Sequence, residues 1–127
     1  MFRIPLRYLS HRGLVGDGLL HGIPIEGLHG IEVGGTMMKY WFRANDGLGQ
    51  ELFWYGFSRW EHATIKLYTQ LAASARVTLD IGANSGIYPM LACAVNPSGR
   101  VIAFEPVPNT THSLRKIWKP LRLPGAA

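Results

Sequence analysis

Cysteine is nearly absent from this chain of 127 residues, because Cys93 is the only one, and an internal disulfide is therefore excluded. Acidic residues are also few, with 8 Asp and Glu against 13 Lys and Arg and a net charge of +5. No segment approaches the roughly 18 consecutive apolar residues of a membrane-spanning helix, so the sequence predicts no membrane span. The start of the chain lacks the apolar core of a signal peptide, which favours a cytoplasmic location.

The few acidic residues are unevenly placed along the chain. Beyond Glu61 the sequence contains only Asp80 and Glu105, and each stands at the end of a short apolar segment. These segments, residues 76–81 and 101–104, have the composition of parallel strands that are covered on both faces. A carboxylate is costly to bury without partners, and ligands of open α/β sheets bind beyond the carboxyl ends of the strands. The two acids are therefore candidate ligand-binding groups.

A turn with two glycines joins the first of these strands to an apolar helix predicted over residues 86–95. Gly82 permits a sharp turn and a close approach of backbone to a ligand, and Gly86 permits tight packing of the helix on the strand. Asn84 or Ser85 is expected to cap the helix, whose positive end favours an anionic ligand group. Because Asn84 replaces the middle glycine of the dinucleotide fingerprint, the turn argues against NAD or FAD.

Glu105 follows Asp80 by about 25 positions, close to the spacing between a glycine turn and the ribose-binding acid of a nucleotide site. A carboxylate only accepts hydrogen bonds, and two vicinal ribose hydroxyls offer two donors. The structural alternative is that Asp80 caps a turn and Glu105 is a solvated strand end. The placement of both acids at strand ends favours the ligand-binding role.

Two segments of the chain resemble the opening of an FkbM-family methyltransferase: Leu79-Asp-Ile-Gly-Ala-Asn-Ser-Gly86 and Gly99-Arg-Val-Ile-Ala-Phe-Glu-Pro-Val-Pro108. Members of this family are class I S-adenosylmethionine-dependent enzymes, mostly O-methyltransferases of sugars and other natural products. The resemblance implies an α/β, Rossmann-like class I methyltransferase fold with S-adenosyl-L-methionine as the cofactor. It also implies that Glu105 holds the ribose hydroxyls. The other cofactor-lining residues that it implies are Asp80, Gly82, Ala83, Asn84 and Gly86.

The chain departs from the family pattern at two places. Pro89 stands in the first turn of the predicted helix, where its missing N–H is nearly harmless. The sequence also ends at Ala127, whereas a complete fold of this class needs about 200 residues. We therefore expect only the first two parallel strands and their helices, as in the amino-terminal part of a truncated enzyme. The resemblance implies a small-molecule or glycan hydroxyl as the methyl acceptor, and the catalytic base stays unassigned.

The chain is expected to divide into four segments: an irregular glycine-rich segment (1–35), a β-hairpin with a leading helix (36–75), the cofactor-binding βαβα half (76–119) and an irregular tail (120–127). The hairpin is predicted from a strand at 36–44, a turn at 45–47 and a returning strand at 51–55. A capping-box pattern from Ser58 to Glu61 predicts a helix over residues 58–75. Its apolar stripe is expected to include Ile65, Leu67, Tyr68 and Leu71.

Two other functions stay open beside the methyltransferase, namely a nicotinamide-dependent oxidoreductase and a non-catalytic remnant of the fold. Basic residues cluster near the carboxyl end, and we interpret them as a solvated helix face rather than as a nucleic-acid site. These basic residues are Arg115, Lys116, Lys119 and Arg122. The five histidines show no metal-ligand spacing, so no metal site is predicted.

Overall fold

The computed structural model describes residues 8, 9, 12, 14–44 and 46–108. These residues form eight helices and strands in the order α1 (Asp17–His21), β1 (Gly27–Val33), β2 (Thr36–Phe42), α2 (Gly47–Tyr55), α3 (His62–Ser74), β3 (Val77–Ile81), α4 (Ile87–Val95) and β4 (Arg100–Phe104). The strands pair as two separate two-stranded sheets, β1 with β2 and β3 with β4. The expected mixed α/β class is confirmed. The helix predicted after residue 108 and the predicted tail lie outside the described residues.

The described chain divides into two compact units. The first contains the residues up to 31 together with residues 39–62, and the second contains residues 32–38 and 63–108. Among the described residues, no helix is long and apolar enough to cross a membrane.

Aromatic side chains form the core of the first unit. The rings of Phe42 and Phe53 meet edge to face at 5.6 Å, and those of Phe53 and Trp54 at 4.9 Å. The one buried polar side chain reported in the described core is Gln50, which accepts a hydrogen bond from Trp54 Nε1 at 3.0 Å. Its amide also donates to the Ile23 carbonyl at 2.9 Å. The buried indole and amide groups are therefore satisfied, as burial of polar groups requires.

The predicted hairpin exists, but its partner strand was wrong. Strand β2 is confirmed at Thr36–Phe42, whereas the expected returning strand at 51–55 is part of helix α2. The true partner is β1, which lies in the segment expected to be irregular, and the connection is Gly34 and Gly35 with φ of 54° and 78°. Positive φ at both central residues is the requirement of a type I′ hairpin turn.

Helix α2 begins where a turn was predicted, because Asp46 caps it. The Asp46 carboxylate accepts the Leu48 N–H at 3.2 Å. Aspartate is among the preferred residues at this position, since its oxygen satisfies an N–H that has no partner within the helix. The same residue type therefore signals both a turn and a helix start, and the longer-range packing of α2 decides between them.

The capping box predicted at Ser58 was also wrong. Helix α3 begins at His62, four residues later than expected, and Glu61 has a positive φ of 45°. The Ser58 hydroxyl donates to the Tyr55 carbonyl at 2.6 Å, so it serves the end of α2. The Ser58 N–H donates to the same carbonyl at 3.3 Å, so Ser58 bonds to the end of α2 rather than to the N–H groups of α3.

The second unit is built on the parallel pair β3 and β4. The expected parallel pairing of these strands is confirmed, and its register aligns Val77 with Arg100 and Ile81 with Phe104. Helix α4 connects the two strands and its apolar residues Met90 and Leu91 are buried. Asn96 follows α4 and its amide donates to the carbonyls of Ala72 and Ala75, at 3.0 and 2.8 Å, which fixes the end of α3.

One face of the parallel pair is exposed in the described part of the chain, although both faces were expected to be covered. Val77, Leu79 and Ile81 alternate along β3, and their side chains are 52%, 60% and 85% exposed. Residues at this spacing share one face of a sheet.

The apolar stripe of α3 also differs from expectation, because Ile65 is buried while Leu67 is 58% exposed.

Candidate functional site

Both candidate carboxylates lie at the carboxyl edge of the parallel pair. Asp80 aligns with Ala103 one position before the end of β3, and Glu105 directly follows the last residue of β4. The same edge carries the turn that leads from β3 into α4. Asp80 and Glu105 interact electrostatically, since the charge of Glu105 contributes to a raised pKa of Asp80. The parallel register therefore brings together the two acids that the sequence places about 25 positions apart.

The turn itself is held against the end of β4 by backbone hydrogen bonds. The N–H groups of Gly82 and Ala83 both donate to the carbonyl of Phe104, at 2.8 and 3.0 Å. Gly82 has a φ of 87°, a conformation that L side chains rarely adopt, and a Cβ placed there would meet nothing within 4 Å. The turn thus combines a backbone conformation that favours glycine with open space beside it.

Glu105 forms the second tie between the turn and the end of β4. Its Oε2 accepts the Asn84 N–H at 2.8 Å, and its Oε1 accepts the Val107 N–H at 2.8 Å. Hydrogen bonds from backbone N–H groups stabilise the ionised form of a carboxylate. Glu105 is therefore not simply a solvated strand end, because its carboxylate holds the middle of the turn.

Asp80 is in a different environment from Glu105. Its Oδ2 is buried and has no hydrogen-bond partner among the described residues. Burial of the carboxyl group raises the pKa of Asp80, and the nearby negative charge of Glu105 raises it further. An unpaired buried acceptor is costly, so this oxygen is the position in the site at which a ligand donor would gain most.

Helix α4 begins at this turn without the side-chain cap that was expected. Gly86 is the N-cap residue, with a φ of 77°, and it has no side chain that could cap the helix. Asn84 instead has a φ of 43°, and its backbone N–H is bonded to Glu105. The cap assigned to Asn84 or Ser85 was therefore wrong, since the left-handed backbone at Gly86 directs the chain into the helix.

A pair of tyrosines lies beside Asp80, and the sequence pattern had identified Tyr68 only as part of an apolar stripe. The Tyr68 hydroxyl donates to the Tyr88 carbonyl at 2.9 Å, and the two rings meet edge to face at 5.0 Å. Burial raises the pKa of Tyr68 to about 12, and the charge of Asp80 adds to the effect. The helical periodicity of the sequence could not show that Tyr68 lies near Asp80, because Asp80 belongs to a different element, strand β3.

Metal binding finds no support among the described residues, which contain no group of three or more His, Cys, Asp or Glu side chains able to hold an ion. Cys93 lies on α4, and burial raises the pKa of its thiol. A raised pKa keeps the thiol protonated and unreactive, as is typical of a buried cysteine that only packs. No family model, curated protein or solved structure matches this chain.

Proposed function

We propose that the turn between β3 and α4 is the S-adenosylmethionine site of a class I methyltransferase that methylates a hydroxyl group of a sugar or natural product. The observation that carries the proposal is the pair of carboxylates beside a glycine turn at the carboxyl edge of parallel strands. Ligands of such sheets bind at this edge. The resemblance of the same residues to the FkbM family supplies the choice of cofactor.

The residues of the turn fit this cofactor in three respects. Open space beside Gly82 allows close approach of a ligand to the backbone. The unpaired Oδ2 of Asp80 is suited to a positively charged donor such as the ammonium group of the methionine portion. Glu105 already accepts two N–H groups, and an ionised carboxylate has about four lone-pair sites, so it can also accept ribose hydroxyls.

The cofactor, when bound, supplies an electrophilic methyl group on its sulfonium. The part of the chain described here would bind and orient it, with Gly82, Ala83, Asn84 and Gly86 lining its path along the turn. A hydroxyl acceptor also requires a base with a pKa near the working pH. None of the residues around the turn is assigned that role, so the proposal for this part of the molecule is binding and positioning.

Titration calorimetry of the full chain with S-adenosylmethionine tests the proposal. We expect saturable binding that is weakened at least about tenfold in Glu105→Ala, because about 1.4 kcal/mol or more of hydrogen bonding is lost. Glu32→Ala is the matched control, since Glu32 is an exposed acid on β1 in the same unit. NADH should not bind.

Two results would contradict the proposal. The first is the absence of S-adenosylmethionine binding by a chain whose circular dichroism shows it to be folded. The second is saturable NADH binding that Glu105→Ala abolishes, which would favour the nicotinamide-dependent alternative.

A further inference from the structure

The two carboxyl groups at the turn, Asp80 and Glu105, differ in the hydrogen bonds that they receive. Both oxygens of Glu105 accept backbone N–H groups at 2.8 Å, whereas Oδ2 of Asp80 is buried and receives no hydrogen bond within the described part of the chain. A buried carboxylate oxygen that receives no hydrogen bond has no donor to support the ionised form of its group. Ionisation of Asp80 is therefore costly in the free protein, and burial raises the pKa of this carboxyl group.

The described groups that act on Asp80 include no compensating positive charge. Among the described residues, Glu105 is the charged group that acts on Asp80, and it carries the same sign. Tyr68 approaches from α3, but its hydroxyl donates to the Tyr88 carbonyl. Cys93 and Tyr88 of α4 lie close enough to affect Tyr68 in turn. The tyrosine, with a pKa of about 12, and the thiol, whose pKa burial raises, both stay neutral below neutral pH.

A cationic group of a ligand beside Oδ2 would stabilise the ionised form of Asp80. An opposite charge within about 4–6 Å favours the ionised form of a carboxyl group and lowers its pKa. Burial and Glu105 raise the pKa of Asp80 in the ligand-free site above the ordinary value of 3.8. The ligand-free site therefore binds the Asp80 proton more tightly than the ligand-bound site does. A difference of this kind couples ligand binding to proton release.

We propose that a proton and the positively charged part of the ligand compete for Asp80, so that binding at the turn releases the proton of this carboxyl group to water. This inference rests on the proposed function, because it takes the ligand to be S-adenosylmethionine with its ammonium group at Asp80. The exchange is balanced: the carboxylic acid loses one proton, and the ligand ammonium supplies the charge that neutralises the carboxylate. The affinity of the site for its ligand then falls as the pH drops below the pKa of free Asp80.

The test is the Kd of S-adenosylmethionine for the full chain, measured by calorimetry from about pH 7 down to the lowest pH at which circular dichroism shows the chain to be folded. Over this range the ligand amino group, with an ordinary pKa of about 7.7–8.0, stays charged. We expect Kd to rise as the pH falls, approaching about tenfold for each pH unit below the pKa of free Asp80. Asp80→Asn should bind more weakly at neutral pH, and its Kd should not change with pH.

The control variant is Glu32→Ala, which should keep the pH profile of the unaltered chain. A flat profile for the unaltered chain, with binding intact at neutral pH, would overturn the competition while leaving the proposed function in place. A slope that persists in Asp80→Asn would also overturn it, because another group would then be the one that titrates. Absence of binding at neutral pH by a folded chain would contradict both proposals together.

Discussion

Asn84 shows how a single residue type suits the geometry of the turn. Its φ of 43° lies in the left-handed region, between Gly82 at 87° and Gly86 at 77°. Among residues with side chains, asparagine tolerates this conformation best. The absence of a middle glycine, which argued against a dinucleotide, therefore does not prevent the backbone from turning in this way. The N–H of Asn84 is directed to Glu105 as a consequence.

Gly99 is a second position where a side chain would disturb the structure, and here the cause is space. A Cβ at this position would lie 2.7 Å from Asn96 Nδ2 and 3.1 Å from the carbonyl oxygen of Ala75. The Asn96 amide cannot move away without losing its bonds to the carbonyls of Ala72 and Ala75. Gly99 is thus required by the junction between the end of α3 and the start of β4.

We expect Gly99→Ala to lower the free energy of unfolding by about 1–3 kcal/mol, since overpacking and a lost hydrogen bond each cost about that much. Urea denaturation followed by circular dichroism measures the change. Gly18→Ala is the contrasting substitution, because Gly18 lies in α1 and its Cβ would meet nothing within 4 Å. That variant should be neutral or more stable, by up to about 1 kcal/mol. Equal destabilisation by both substitutions would contradict the role assigned to Asn96.

At the scale of elements, the end of β4 organises the start of α4. The Phe104 carbonyl accepts the N–H groups of Gly82 and Ala83, and the Glu105 carboxylate accepts that of Asn84. Three successive N–H groups of the turn are therefore held by two successive residues of the neighbouring strand. Removal of the Glu105 carboxylate breaks only the hydrogen bond to the Asn84 N–H among these three. The contribution of that hydrogen bond to the stability of the turn can therefore be measured while the rest of the fold is kept.

Amide hydrogen exchange followed by nuclear magnetic resonance measures the protection of each N–H group of the turn separately. In Glu105→Ala the N–H groups of Asn84 and Val107 should exchange about tenfold faster or more, because a hydrogen bond to a charged group contributes about 1.5–3 kcal/mol. The N–H groups of Gly82 and Ala83 should keep their protection, since their acceptor is the Phe104 carbonyl. Unchanged exchange at Asn84 would contradict the tie, and faster exchange at all four would indicate general unfolding of the turn.

The elements also show where local sequence patterns stop being sufficient. The strands β3 and β4 and helix α4 were predicted within a residue or two, because their apolar runs have one stable environment, a parallel strand pair with its connecting helix. Residues 51–55 could form a strand or a helix by composition, and the cap at Asp46 with the packing of Trp54 makes them helical. Tertiary context commonly overrides propensity in such short segments.

At the scale of the molecule, the exposed apolar face of β3 is the feature most at odds with the expected burial. Leu79 is 60% exposed in the described chain, whereas Leu91 of α4 is 0% exposed. Parallel sheets are normally covered on both faces. The two leucines therefore provide a direct comparison between the covered side of the parallel pair and its uncovered side.

Leu91→Ala should lower the free energy of unfolding by about 2–5 kcal/mol, the usual cost of a cavity in a core. Leu79→Ala should cost less than about 1 kcal/mol, since it removes a side chain that is already largely solvated. Urea denaturation at several protein concentrations is the measurement. A loss for Leu79→Ala as large as that for Leu91→Ala would show that this face of β3 is covered in solution, and a dependence on protein concentration would show that association of the chain covers it.

The sequence by itself determined the parts of this protein that depend on local chemistry. Apolar β-branched runs ending in Asp80 and Glu105 predicted two parallel strands, and the glycines at 82 and 86 predicted the turn between them. These predictions hold because glycine is the residue best suited to positive φ and because short apolar runs rich in β-branched residues favour strands.

Only the tertiary structure decided how the two acids differ. Their positions in the sequence are equivalent, each at a strand end, yet Glu105 receives two N–H groups while Asp80 Oδ2 receives none. The direction of each N–H follows from the backbone angles of the whole turn and from the strand register, which no residue specifies alone. The same holds for Tyr68, whose position beside Asp80 depends on how α3 packs within the second unit.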